Sequence, residues 1–402
     1  MNRREVKRAP VLRFKGFTND WEQRKLGCLM NITSVKRIHQ SDWRKKGIPF
    51  YRARDITALS KNLNIEEPIF ISRDLYEEYS KISGKVQIND LLVTGVGTIG
   101  VPLLVQTVPL YFKDGNIIWF QNSNKLIGLF FLYLFKTNTV QKYIHTTTGV
   151  GTVPTYTIQS GKNTPVYITS KKEQKDIGTI FQLIDNLISL QQRKLRLLKL
   201  LKKATQQNIF ASTECLPKLK YRNLTEKWQL YRLKDVAKIT MGQSPNSKNY
   251  TQNPIDHILV QGNADIRNGY VFPRIWTTEI TKVANKGDII LCVRAPAGDV
   301  GRTKFNVVIG RGVAAIKGND FIFQQLQFMK SSGYWKKYIS GSTFESINSN
   351  DIKNAKIFCP SQLEQKNISS LLNDIDTSIQ IQQKNILDFK YIKQFLLQNM
   401  FI

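Results

Sequence analysis

Residues 170–210 read SKKEQKDIGTIFQLIDNLISLQQRKLRLLKLLKKATQQNIF, and residues 361–401 read SQLEQKNISSLLNDIDTSIQIQQKNILDFKYIKQFLLQNMF. The two align without a gap, and the alignment extends back to residues 163 and 354. In both, apolar residues recur at alternating spacings of four and three. From Ile177 the seam passes through Phe181, Ile184, Ile188, Gln191, Leu195, Leu198, Lys202, Thr205 and Ile209. From Ile368 it passes through Leu372, Ile375, Ile379, Gln382, Ile386, Phe389, Lys393, Leu396 and Met400. Seven of ten and eight of ten of these positions are apolar, sustained over more than four heptads, which predicts a long helix with one buried stripe. Each run opens on a capping box, Ser170 with Glu173 and Ser361 with Glu364, the second directly after Pro360. At 1.5 Å per residue, about 36 helical residues make a rod of about 54 Å. Two matching seams in one chain most simply pack antiparallel, which would bring Gln191 to Gln382 as a polar layer that fixes register. Glutamines leaning into solvent, or a coiled coil between chains, are the alternatives.

The repeat continues outward from the helices. PVLRFKGFTNDWEQRKL (10–26) matches PKLKYRNLTEKWQLYRL (217–233), with Trp21 on Trp228. YRARDI (51–56) resembles GNADI (262–266) through Asp55 and Asp265. NDLLVTGVGTIG (89–100) resembles GDIILCVRAPAGDVG (287–301), and QKYI (141–144) resembles KKYI (336–339). Starts and ends agree while the middles differ, so two copies share a frame and differ in what it carries. The expected organisation is a first domain over 1–162, a long helix over 163–212, a second domain over 213–353 and a second helix over 354–402. Strand-like runs in the first domain are IPFYRA, DLLVTGV, VPLLV and NIIWF; HILVQG, DIILCV and FNVVIG supply them in the second. A helix follows in each, about 125–144 and 320–339. Short Gly/Pro/Asn turns join the strands and regular βαβ alternation is missing, which predicts α/β (α+β) domains with mixed or antiparallel sheets.

Of 402 residues, 59 are Lys or Arg and 30 are Asp or Glu, a net charge of +29. Both halves share the excess, with 33 basic and 15 acidic residues up to Phe210 and 26 and 15 beyond it. A polyanionic partner is the leading explanation, and a solubilising lysine-rich surface the plainer one. Cys28, Cys215, Cys292 and Cys359 form no CxxC unit, and with His39, His145 and His257 they give no zinc spacing. The charged N-terminus lacks the apolar core of a signal peptide, and LIGLFFLYLF (126–135) is about half a membrane span, so it reads as a buried helix. The expectation is a soluble, cytoplasmic protein with no membrane partner.

Three tempting motifs fail. GVGTIG (95–100) has the dinucleotide-loop pattern, but VPLLV follows where a helix should open, which argues for a turn into another strand. The EQK tripeptides (173–175 and 364–366) are reminiscent of a nuclease, but their acids are already explained as capping residues and lack a second acidic cluster. NPI (253–255) is the nearest approach to a base-methyltransferase tetrapeptide and is not one. The chain reads as a binder, with no catalytic and no metal-ligating residues.

Two dissimilar α/β regions, each followed by a helix bearing S-x-x-E-Q-K and a mid-seam Gln-Gln, resemble the specificity subunit of type I restriction–modification enzymes. So does LRFKGFTNDWEQRKLG near the start. The resemblance spans residues 10–401, specific in the frame and weak in the variable regions. It implies two target-recognition domains held apart by an antiparallel helical pair, each reading half of a bipartite double-stranded DNA site. It implies no catalysis by this chain. Two methyltransferase subunits using S-adenosylmethionine would methylate adenine, and two restriction subunits would cut with ATP and Mg2+. A stand-alone nucleic-acid-binding coiled-coil protein with no methyltransferase partner is the alternative.

Base-reading residues should be polar side chains on loops at strand ends. In the first domain these are Arg52 and Arg54, then Thr94 and Thr98 around Gly97, then Thr146, Thr148 and Thr152 around Gly151. In the second they are Gln243 and Ser244, Gln261 and Asn263, Arg294, and Ser342, Thr343 and Ser346. Lys36, Arg37, Lys45 and Lys46 are candidates for phosphate. For any one of them an ordinary solvated turn explains the residue equally well. Trp21 and Trp228 read as core residues rather than base-stacking platforms.

Overall fold

Both heptad runs are helices, Lys171–Ile209 and Gln362–Asn399, in the computed structural model of the chain. The structure describes residues 8–148, 154–210, 217–219, 227–338 and 346–402. Thr152, Ser342 and Thr343 lie outside these ranges, as do residues 220–226 of the repeated opening at 217–233. The serine half of each capping box is present: Glu173 N donates to Ser170 Oγ at 3.3 Å and Glu364 N to Ser361 Oγ at 3.4 Å. The Glu173 carboxylate goes elsewhere. It is fully buried and accepts from Arg13 Nε at 2.6 Å, Arg13 Nη2 at 2.8 Å and the Thr169 hydroxyl. A carboxylate so desolvated requires a counter-charge, which a capping N–H cannot supply.

The chain divides into two units. The first takes in the chain up to Leu190 together with Ile386–Ile402, and the second is Gln191–Asn385. In the first, a four-stranded antiparallel sheet runs in the order Asn31–Thr33, Ile117–Gln121, Leu91–Thr94, Pro102–Leu104. A three-stranded sheet has Ile48–Tyr51 at its centre, antiparallel to Ile69–Ile71 and parallel to Tyr111–Phe112. A two-stranded ribbon, Glu22–Lys25 with Pro165–Ile168, leads into the first long helix. GVGTIG is thus a turn between the antiparallel strands Leu91–Thr94 and Pro102–Leu104. The apolar run after it forms the buried helix Gly128–Phe135. A second helix, Asn138–Thr147, follows a break at Thr137, whose hydroxyl accepts from Val140 N and starts the helix anew.

The second unit repeats this plan with additions. Lys238–Met241, Val313–Lys317, Ile289–Cys292 and Val300–Arg302 repeat the four-stranded order, extended by Tyr270–Val271 and Ile266–Arg267. His257–Val260 again lies parallel to Val307–Ile309 and antiparallel to Trp276–Thr277. Gln229–Arg232 and Lys356–Cys359 form the ribbon. The helix Asp320–Ser331 gives way at Gly333, φ +75°, to the 3-10 turn Tyr334–Tyr338.

Each unit holds one stretch of each long helix, and in each the two stretches run antiparallel. In the first, Ile177 and Phe181 share a core with Trp21, Phe130, Met400 and Phe401. The Phe181 and Phe401 rings lie 5.8 Å apart, and Trp21 meets Phe130 and Phe401 edge-on at 5.9 and 6.1 Å. Ile184, Ile188 and Ile386 are buried along the seam, and Lys393 Nζ is 2.5 Å from Asp185 Oδ1. In the second unit, Ile209 and Phe210 share a core with Trp228, Phe321, Ile368, Leu372 and Ile375. Lys202 Nζ is 2.6 Å from Asp376 Oδ1. Asp185 and Asp376, like Lys202 and Lys393, are equivalent positions of the repeat, so one ion pair is made twice. Leu195 and Ile379 are half-buried, while Gln382 is buried and donates from Nε2 to the Gln191 side chain and main chain. Trp21 and Trp228 are core residues. No helix among the described residues is long and apolar enough to cross a membrane.

Candidate nucleic-acid interface

In the second unit five strand ends meet. Gly310 N donates to Val260 O at 2.8 Å, Gln243 N to Ile309 O at 2.8 Å, Gly242 N to Val313 O at 3.0 Å and Val293 N to Gly312 O at 2.9 Å. The turn Gly310–Gly312 therefore sits among the loops that carry Gln243 and Ser244, Gln261 and Asn263, and Arg294. Glycine is required at two positions of this corner: a β-carbon on Gly312 would run into the Gln261 carbonyl oxygen, and one on Gly242, after the neighbouring strand, into that of Gly310. Ser346 joins the same cluster by bridging to Arg294, with Ile347 N donating to Val293 O at 2.9 Å. Ser244 Oγ accepts from Arg311 N at 3.0 Å, and Gln261 Nε2 donates to Tyr250 OH at 2.7 Å. Asn263 opens a 3-10 turn closed by Asp265, whose buried carboxylate accepts from Gln261 N at 2.7 Å. The side chains of Gln243, Arg294, Arg311 and Ser346 are exposed.

The first unit builds the same corner with different side chains. Lys113 N donates to Tyr51 O at 2.8 Å, the counterpart of Gly310 on Val260. Arg52 N donates to Asp55 Oδ2 at 2.8 Å, the counterpart of Gln261 on Asp265. Gly95 N donates to Asn116 O, Tyr156 N to Gly95 O, and Val96 bridges to Thr155 as Arg294 does to Ser346. Arg52 is committed to this frame: Nε and Nη2 grip Asp55 at 2.7 and 3.0 Å, and Nη2 also reaches Glu67 O. Arg54 is exposed and pairs with Glu67 Oε2 at 3.1 Å. Thr94 is fully buried, its hydroxyl donating to Thr98 O and accepting from Val101 N, so it ties the turn from inside; Thr98 points out. Gln141, on the helix Asn138–Thr147, donates to Gly100 O at 3.0 Å, and at the end of that helix Thr146 and Thr148 return their hydroxyls to the Tyr143 and His145 carbonyls. Lys36 lies over the Tyr79 ring at 4.0 Å, Arg37 pairs with Asp114 at 2.9 Å, and Lys45 and Lys46 are exposed.

Among the described residues, no group of three or more His, Cys, Asp or Glu side chains is placed to hold a metal ion. Burial pushes the Cys292 thiol up to about 12 and the Cys359 thiol to about 11, well away from nucleophilic use near neutral pH.

A family model described as the type I restriction modification DNA specificity domain matches residues 18–200 and 225–388. The chain belongs to this family. A putative type I restriction enzyme specificity subunit of Methanocaldococcus jannaschii is 28% identical over 388 residues, covering 91% of this chain and 89% of the relative. A putative specificity subunit of Haemophilus influenzae is 31% identical over 111 residues, 27% of each chain. Among solved structures, the specificity subunit of a type I system from M. genitalium superposes with a TM-score of 0.64 at 13% identity, covering 98% of this chain and 99% of that one. A chain from a study of type I complex assembly and conformational transition gives 0.60 at 20% identity, with 94% and 97% covered. This chain is a type I specificity protein with two DNA-recognition domains.

In these recognition domains the sequence reading passed over Arg311, Tyr250, Arg274 and Lys113. Arg311 and Lys113 directly follow or interrupt the turn after the strand that pairs in parallel with the central strand of its sheet. That pairing joins residues 61 apart in the first unit and 49 apart in the second, so no local pattern marks them. Arg274 lies beside Asp265, with Nε 3.6 Å from Oδ1.

Proposed function

We propose that this chain sets the DNA sequence specificity of a type I restriction–modification complex, its two recognition domains each reading one half of a gapped duplex site. The reading is carried by one observation: the same strand-end corner is built twice, with the same main-chain bonds and different side chains. A repeated frame with unlike loops suits an asymmetric, two-part sequence. The net charge of +29, shared by both halves, supplies phosphate affinity. The proposed base-contacting set keeps the exposed candidates, Arg54, Thr98, Thr146, Gln243, Arg294 and Ser346, with Arg52, Thr94, Ser244 and Gln261 holding the loops that present them. The chain acts without catalysis of its own. Two methyltransferase subunits using S-adenosylmethionine would methylate adenine, and two restriction subunits would cleave with ATP and Mg2+, in the cytoplasm.

The test is to co-express the chain with its cognate methyltransferase subunit and to map adenine methylation across the host genome. A two-part motif with an unread spacer is expected. A continuous motif, or none, overturns the reading.

A further inference from the structure

Among the described residues the second recognition domain carries six arginines; three are occupied, and Arg232 lies on the ribbon Gln229–Arg232, away from the strand-end corner. Arg302 pairs with Asp320 at 2.6 Å, Arg274 lies beside Asp265, and Arg267 stacks on Phe272 at 4.0 Å. Arg294 and Arg311 differ: among the described residues their side chains make no ion pair, hydrogen bond or ring contact, and both are exposed on the strand-end corner. Arg311 is also the better mounted. Its own N–H is held by Ser244 Oγ at 3.0 Å. Gly310 before it is tied to Val260, Gly312 after it to Val293, and Val313 N closes back on Gly310 O at 3.1 Å. A free guanidinium on a backbone fixed from several strands is the arrangement that reads a base edge, because base contact demands a placed Cα while phosphate contact tolerates a mobile one. The equivalent turn of the first domain, Lys113–Asn116, is one residue longer and has Asp114 and Gly115 there, with the Asp114 carboxylate taken by Arg37.

We infer that Arg311 is a specificity-determining residue that reads a guanine, by paired hydrogen bonds to its O6 and N7 in the major groove. The inference rests on the proposed reading of DNA by this chain. It assigns the guanine to the half-site of the second domain.

The experiment uses the complex with its methyltransferase subunits and compares wild type with Arg311→Gln and Arg311→Lys. Methylated motifs are mapped, and duplex binding is measured for the cognate site and for sites substituted at each position of both half-sites, over a range of salt. For Arg311→Gln, discrimination at one guanine of one half-site should fall about 10- to 100-fold, with the other half-site read as before. Arg311→Lys should retain part of it. Unchanged reading of the other half-site serves as the control that the variant folds. Uniform weakening across all sequences, with a salt slope shallower by about one, would make Arg311 a phosphate contact and overturn the inference. So would unchanged discrimination, or loss confined to a base other than guanine. If the wild-type complex itself methylates no gapped motif, the proposed function fails instead.

Discussion

Arg52 and Arg54 stand two residues apart and meet opposite surroundings. The Arg52 side chain is 15% exposed and its partner Asp55 is 3% exposed, whereas Arg54 is 58% exposed against Glu67 at 84%. Removing Arg52 takes both guanidinium hydrogen bonds from the buried Asp55 and leaves it only the more distant Arg54 Nε, at 3.8 Å, as a counter-charge, so Arg52→Ala is expected to cost about 3 kcal/mol in chemical denaturation. Arg54→Ala should stay within about 0.5 kcal/mol and act on DNA binding alone. Lys136 offers a pH test. Burial, helped by the like charge of Lys393 and opposed by Asp185, lowers it to about 8 from 10.5. Below pH 8 the lysine is charged in both states and folding carries the cost of desolvating that charge. Between about pH 8 and 10.5 the unfolded chain holds more protons, so this contribution to stability improves as pH rises. Lys136→Met should therefore be more stable than wild type at pH 7, by about 1–3 kcal/mol, and the advantage should shrink towards pH 10 in paired melts. Neither arginine could be assigned from sequence. Both are basic residues at a strand end, and only the fold shows which one is hydrogen-bonded to the buried Asp55.

At the scale of elements, the period of the side chains told most. The 4–3 seam located both long helices, and short apolar runs such as NIIWF and DIILCV located central strands. The strands Glu22–Lys25 and Gln229–Arg232 were missed because their own residues are mostly exposed, so no alternation marks them. The helix expected over 125–144 is two helices because Thr137 serves as an N-cap, a local signal overridden in reading by the apolar run before it. At the seam, Gln382 is buried on Gln191. Gln382→Ala should cost about 1 kcal/mol by leaving Gln191 without its partner. Replacing both by Leu should be neutral or stabilising in denaturant melts, while loosening the register that the polar layer fixes.

At the scale of the whole molecule the units should prove separable in function. Exchanging residues 217–353 for the corresponding region of another specificity protein should change one half of the methylated motif and leave the other. A change in both halves would contradict the assignment of one domain to one half-site. Duplex affinity should fall steeply with salt, about a thousandfold or more between 50 and 200 mM if six or more phosphates are contacted.

Met400 and Phe401 are part of the first unit's core, and Ile386–Ile402 belong to that unit although the whole of the second lies between. Deleting Ile386–Ile402 should expose the first unit to proteolysis while the second stays protected, since losing large core side chains at several kcal/mol each rivals the stability of a domain. The same geometry orders events on the ribosome. Residues up to Leu190 emerge early but wait for the 195 residues of the second unit, and then for Met400 and Phe401, before their core can close. At 5–20 residues per second that is roughly 10–40 s. The recognition domain translated first is the one completed last, and for that interval its apolar surface is a natural client for chaperones.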